Sequence, residues 1–251
     1  LLSLLAAPAV WGQPARPAVP VTGKEAAGLE PLDAAVVGMM QRHGIPGGAM
    51  AAAVGGKLVF ARGYGWADVD AGERVRPDTR FGVASLSKTL TALAVLKLTE
   101  AGKLRLDDRA FGLIPHARPR PGTRVDPRLD KITVRQLLHH AGGWDHKKSG
   151  DPVNWVTRVQ YSRGDRTPIS AEHLIEYVMR VPLDFDPGAD SKYSNFGYIV
   201  LGEVVRTVAR EPYEKYVREH VLAPAGVRAA SLHPLPPRYF PNEARRYLGG
   251  T

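Results

Sequence analysis

The chain has 251 residues, 44% hydrophobic and 24% charged, with a formal net charge of +9 and no cysteine. That balance fits an ordinary globular chain of one or two domains with a large core, and it excludes a disordered polymer. The missing cysteine excludes disulfides, thiol nucleophiles and Cys-ligated metals.

The first ten residues, Leu1 to Val10, are apolar and resemble the core of a secretory signal, too short to span a bilayer. Residues 1–12 are therefore expected to be a signal remnant, and 13–30, rich in Pro, Ala and Gly, a linker without a packing role. Export to a secreted or periplasmic location follows as an expectation. Next, Leu32, Ala35, Val36, Met39 and Met40 recur at helical spacing from Pro31 to His43, with Gly44 and Pro46 as a stop. Ala49–Val54 and Lys57–Tyr64 flank Gly55-Gly56, the two-residue spacing of a primed hairpin turn, so two antiparallel strands are predicted. Residues 65–78 should be a loop, and 31–80 the α/β part of the chain.

The predicted helical region, 81–251, opens on Ser85-Leu-Ser-Lys88. Leu90, Leu93, Ala94, Leu96 and Leu98 give the following helix a buried face, and Gly102 ends it. Residues three apart on a helix are neighbours, so the Lys88 ammonium should sit beside the Ser85 hydroxyl at the positive end of the helix dipole. A Ser-x-x-Lys would turn up by chance in about one shuffled ordering in three, so its meaning depends on context. Lys103–Asp108 reads as extended and 111–130 as irregular. Within that stretch Arg118, Arg120, Arg124 and Arg128 alternate with Pro and Gly, the pattern of a solvated loop, so no nucleic-acid partner is expected and only loose association with anionic envelope polymers. Thr133-Val-Arg-Gln136 fits a capping box ahead of a short helix. Residues 144–168, with Trp144, Trp155 and Tyr161 among polar residues, read as a lid-like loop outside the core, and Trp144 as a substrate-contact candidate. Ser170 can cap a helix through Arg180, Asp186-Pro-Gly188 is a turn, and Tyr193-Ser-Asn195 immediately precedes an apolar helix that Asn195 could cap. A last helix is predicted from Pro212 to about Leu222.

Four stretches resemble, in order, the serine hydrolases of the class C β-lactamase and D-alanyl-D-alanine carboxypeptidase type. They are Gly63-Tyr-Gly-Trp-Ala-Asp68, Pro77–Phe81 running into Ala84-Ser-Leu-Ser-Lys-Thr89, Thr133–Gly143, and Pro187-Gly188 before Tyr193-Ser-Asn-Phe-Gly-Tyr198. The resemblance spans about residues 31–230. It implies Ser85 as the acylated nucleophile, Lys88 as its activating neighbour, Tyr193 as a second proton-transfer group, and Asn195 as a substrate-aligning residue bonded to Lys88. The chemistry agrees, since a serine hydroxyl needs a base and a phenol with pKa near ~10 needs a nearby cation to serve as one.

The sequence departs from the family at two places. Gly142 stands where the family has Ser, and the family's Lys-Thr-Gly or His-x-Gly strand motif has no match after Asn195. The chain therefore reads as a piece cut at both ends, without the C-terminal strands and half of the oxyanion hole. His140 is expected to pack or cap, and His116, His139, His140, His146 and Asp145 lack metal-site spacing. The expected fold is α/β (α+β), class C β-lactamase-like: an antiparallel sheet flanked by helices plus a helical region, with the site in the cleft between them. The expected function is acyl transfer to Ser85 and hydrolysis of a β-lactam, D-alanyl peptide or small ester, without cofactor or metal. A non-catalytic envelope binding protein of the same fold and a basic polyanion-binding protein are the alternatives.

Overall fold

A computed structural model describes residues 18–116, 119, 122–164, 167–232 and 242–247. The chain divides into two units, residues 1–82 with 235–251 and residues 83–234. Residues 242–247, part of the predicted helical region, belong to the first unit. There, the backbones of Arg80 and Glu243 pair as an isolated parallel bridge and Ala244 packs with Ala67 and Val75.

In the first unit, β1 (Val21–Thr22), β2 (Gly47–Val54) and β3 (Lys57–Asp68) form an antiparallel sheet in the order β1-β3-β2, with β4 (Glu73–Arg74) also on β3. The β2–β3 hairpin turns at Gly55-Gly56, both at positive φ, as the two-glycine spacing predicts. Helix α1 (Glu30–His43) ends at left-handed Gly44 and packs Met40 against Phe60 and Tyr64, where the Tyr64 hydroxyl donates to Asp33 at 2.6 Å. Met39, one position before it, is exposed. The predicted linker is corrected in part: Val21–Thr22 is a sheet strand, and Val19, Ala26 and Leu29 pack on the Met40 cluster. The signal-like residues 1–12 lie outside the described residues.

The second unit is helical. After a 3-10 turn (Ala84–Leu86) come α2 (Ser87–Glu100), α3 (Val134–Leu138), α4 (Val156–Arg163), α5 (Ala171–Val178), α6 (Asn195–Ala209) and α7 (Tyr213–Tyr216), the last continuing as a π-turn (Val217–Leu222). Their shared core holds Ala94, Val95 and Leu98 of α2, Leu137 of α3, Ile175 and Val178 of α5, and Phe196, Val200, Leu201 and Val204 of α6. Leu93 and Leu96, read as part of the α2 buried face, are each 42% exposed, so that face is narrower than its apolar composition implies. Both capping boxes form, Thr133 with Gln136 and Ser170 with His173. Lys103–Asp108 is not a strand: Asp108 accepts from the Arg105 backbone at 2.8 Å and curls it into a turn.

Two further sequence readings are overturned here. Residues 144–168 are not a loop outside the core. Trp144 and Trp155 are buried, and the segment carries a 3-10 turn (Pro152–Trp155) and α4. Arg128 is not a free cation on a solvated loop, although its side chain stays 31% exposed. Its guanidinium holds Asp126 at 2.6 Å, Asp186 at 2.8 Å and the Leu183 carbonyl at 2.8 Å, tying the irregular stretch to the chain after α5. Arg118 and Arg120 lie outside the described residues.

Arg128 beside Asp126 holds that carboxyl well below the usual range, against the opposing effect of burial. Unfolded, the group titrates near ~3.9, so its stabilisation is complete above that pH and is lost as pH falls below it. Asp126→Asn should lower stability at neutral pH by about 1–3 kcal/mol and flatten the acid limb below about pH 4, measured as the denaturant midpoint against pH.

Candidate active site

Ala84, immediately before Ser85, sits at φ 43°, a left-handed conformation that is costly for a residue with a Cβ. The 3-10 turn that follows eclipses side chains at i and i+3, which stacks Lys88 directly over Ser85 as the chain enters α2. Lys88 Nζ donates to Ser85 Oγ at 3.2 Å and to Asn195 Oδ1 at 2.6 Å. Ser85 Oγ also lies 2.6 Å from Tyr193 Oη. Ser85 and Tyr193 are exposed, and Lys88 and Asn195 are half-buried behind them. The four residues singled out from Ser-x-x-Lys and Tyr-x-Asn thus form one hydrogen-bonded chain, although the bonded pairs lie 107 and 108 positions apart.

Helix α6 delivers Asn195 through its N-terminus. Asn195 is not the cap: Ser194 is, its hydroxyl accepting from the Gly197 amide at 3.1 Å. That division of labour leaves the Asn195 amide free for Lys88 on one side and, on the other, for Asp151, whose Oδ2 accepts from Asn195 Nδ2 at 2.5 Å. Sequence reasoning missed Asp151. Its only signal was an Asp-Pro dipeptide, the ordinary mark of a turn.

His140 holds Tyr193 from beneath. Its ring lies 4.8 Å from the Tyr193 ring and 5.1 Å from that of Tyr198, and its Nδ1 accepts from the Ser194 amide at 3.1 Å. Accepting at Nδ1 puts the proton of the neutral imidazole on Nε2. Burial, and then the Lys88 charge, lower the His140 pKa below its ordinary value. The expected packing role stands, with positive φ of 58° at His140 marking the tight turn after α3. His146 Nδ1 donates to the Tyr193 carbonyl at 3.2 Å.

Trp144 does not join this group. At 4% exposure its ring stands edge-on to Phe196, centroids 4.8 Å apart, so it supports α6 from the core and the reading of it as a substrate contact is corrected. The same ring accounts for Gly142. A Cβ there would lie 2.4 Å from Trp144 Cζ3, so a serine at 142 is incompatible with this placement of the tryptophan. Gly188, in the predicted turn, has φ 85° and leaves no room for a Cβ beside Gln136 Nε2.

The electrostatics converge on Tyr193. The Lys88 ammonium, and next the Ser85 hydroxyl, pull its phenol below the ordinary value, outweighing burial and the Asp151 charge. Neighbouring Tyr198 moves the other way, raised by burial, and its hydroxyl donates to the Leu138 carbonyl at 3.1 Å. Two tyrosines five residues apart therefore differ in kind, one poised to lose its proton and one structural. Beyond Lys88 and Asn195 opens a cavity of about 890 Å³, lined also by Thr91, Tyr198, Ile199 and Tyr213. Among the described residues, the one grouping of potential metal ligands, Glu211, Glu219 and His220, already holds Lys215, 3.0 Å from Glu211.

A covering helix-and-sheet fold and a Ser-Lys-Tyr-Asn chain of this geometry define a class, and the comparisons agree on which. The Beta-lactamase family matches residues 32–249, and the chain belongs to that family. It is 29% identical over 193 residues to Protein flp of Staphylococcus aureus (strain MW2), covering 77% of this chain and 36% of that protein. With Esterase EstB of Burkholderia gladioli it shares 30% identity over 210 residues, 83% of this chain and 53% of the esterase. A class C beta lactamase structure superposes with a TM-score of 0.61 at 24% identity, covering 78% of this chain and 49% of the other, a likeness of fold. The chain thus spans between about a third and a half of the relatives it matches. No helix among the described residues is long and apolar enough to cross a membrane.

The depressed Tyr193 phenol is directly measurable. Ultraviolet titration of the protein should show one tyrosine ionising below about pH 10, absent in Tyr193→Phe and returned to the ordinary range in Lys88→Met. A titration unchanged by Lys88→Met would remove the lysine as the cause.

Proposed function

We propose that the protein is a serine hydrolase that forms an acyl-enzyme on Ser85 and releases the acyl group to water, acting on small carboxylic esters or on the amides of β-lactams and D-alanyl peptides. The observation that carries this reading is the placement of Ser85 Oγ, 2.6 Å from Tyr193 Oη and 3.2 Å from Lys88 Nζ. Because Lys88 donates to Oγ, the serine's own proton is left to point at Tyr193. Kinship with an esterase supports the ester class.

In acylation, Oγ bonds to the substrate carbonyl carbon while its proton passes to the Tyr193 phenolate. Collapse of the tetrahedral species expels the alcohol or amine, which takes that proton from Tyr193. A water then adds to the acyl carbon, losing a proton to Tyr193, and Ser85 Oγ leaves with that proton as the acid departs. Lys88 keeps its charge throughout and favours the phenolate; Asn195 keeps Lys88 in place. The Ser85 backbone N–H, at the amino end of α2, is placed to donate to the developing oxyanion, a type of contact typically worth a few kcal/mol. Export to an envelope or secreted compartment belongs to the same proposal and is supported by the apolar residues Leu1 to Val10.

A fluorophosphonate probe should add its mass once, at Ser85, and Ser85→Ala should abolish the adduct. Lys88→Ala and Tyr193→Phe should each slow labelling by about 10²–10⁴-fold, the range for loss of an acid–base group. Labelling that survives Ser85→Ala would sink the assignment, and a protein that takes no adduct would be a non-covalent binder on this fold.

A further inference from the structure

Asn195 has two chemically different ends, and only one orientation serves Lys88. Its Oδ1 accepts from Lys88 Nζ at 2.6 Å, while its Nδ2 donates to Asp151 Oδ2 at 2.5 Å. Turned over, the amide would set donor against ammonium and acceptor against carboxylate. A carboxylate acceptor therefore selects the orientation in which the oxygen faces Lys88.

Asp151 is itself held. It caps the 3-10 turn Pro152–Trp155, its Oδ1 accepting from the Val153 amide at 3.2 Å and its carbonyl from the Asn154 amide at 3.0 Å. The turn is pinned by buried Pro152 and Trp155. One carboxylate oxygen thus serves the backbone and the other serves Asn195.

We propose that Asp151 is a positioning residue of the hydrolytic site, fixing the Asn195 amide and, through it, the Lys88 ammonium against Ser85 and Tyr193. This rests on the acyl-enzyme reading of Ser85. Its contribution is orientation and not charge, because a negative group here opposes the effect of Lys88 on the Tyr193 phenol.

The test compares fluorophosphonate labelling rates at Ser85 in Asp151→Ala, Asp151→Ser, Asp151→Asn, Asn195→Ala and the Asp151→Ala/Asn195→Ala pair. Serine can still cap Val153 but is too short to reach Asn195; asparagine has one acceptor oxygen for two donors, the Val153 amide and Asn195 Nδ2. Asp151→Ala and Asp151→Ser should slow the bound-state labelling step about 10- to 100-fold with probe affinity unchanged, as expected for a misplaced catalytic group. Asp151→Asn, with one acceptor for two donors, should lose no more than Asp151→Ser, and adding Asp151→Ala to Asn195→Ala should cost nothing more, as for residues acting as a unit. Wild-type rates in Asp151→Ala and Asp151→Ser, or losses that multiply in the double variant, would each overturn the proposal. The side-chain amide resonance of Asn195 reads the same point without labelling: it should be shifted and slow to exchange in the unsubstituted protein, and lose both features in Asp151→Ser. If no protein labels, the acyl-enzyme reading falls by itself; an Asn195 resonance unaltered in Asp151→Ser still overturns the positioning role.

Discussion

The site depends on one ammonium held by two oxygens. Lys88 Nζ donates to Asn195 Oδ1 and to Ser85 Oγ, and it stands 4.8 Å from the centroid of the Tyr193 ring. A lysine on a four-carbon stem has many rotamers and would not stay over an exposed serine unaided. The acceptor on α6 restricts it, and the held ammonium in turn lowers the Tyr193 phenol.

Three segments must be rigid for this to hold, and each is anchored in the core of the helical unit. Helix α2 buries Ala94, Val95 and Leu98 one to three turns after Lys88. Helix α6 buries Phe196 and Val200 beside Asn195, with Ser194 satisfying an N-terminal amide. The stretch between Gly143 and α4 is fastened by Trp144 and Trp155. The exposed reactive atoms therefore stand on buried supports, the arrangement that gives precision without covering the nucleophile. Ala84, at φ 43°, places a strained backbone conformation immediately before Ser85.

Much of this was legible in the sequence because the signals were local. The Gly55-Gly56 hairpin, the Thr133 capping box, the Gly44 stop and the Ser-x-x-Lys stacking are each set by residues within one or two turns. What was not legible was non-local. Asp151 reaches Asn195 across 44 positions. Trp144 and Trp155 looked like loop aromatics because their polar neighbours hid the two anchoring points, and burial is a property of what surrounds a residue in space. Arg128 was read by its proline-rich flanks, while its partners Asp186 and the Leu183 carbonyl lie more than 50 positions on. Asn195 is the cap candidate in the sequence, and the geometry gives the cap to Ser194, leaving the Asn195 amide for Lys88 and Asp151.

The chain belongs to the Beta-lactamase family, and the placement of Lys88 between Asn195 and Ser85 supports the proposed acyl transfer. The central claim is that Lys88 and Tyr193 act as one proton-transfer unit. A double-variant cycle on the rate of Ser85 acylation tests it most directly. If Lys88 acts by sustaining the Tyr193 phenolate, the combined Lys88→Ala/Tyr193→Phe protein should react within about threefold of the slower single variant. Losses that multiply in the combined protein would mean two independent groups and would contradict the account.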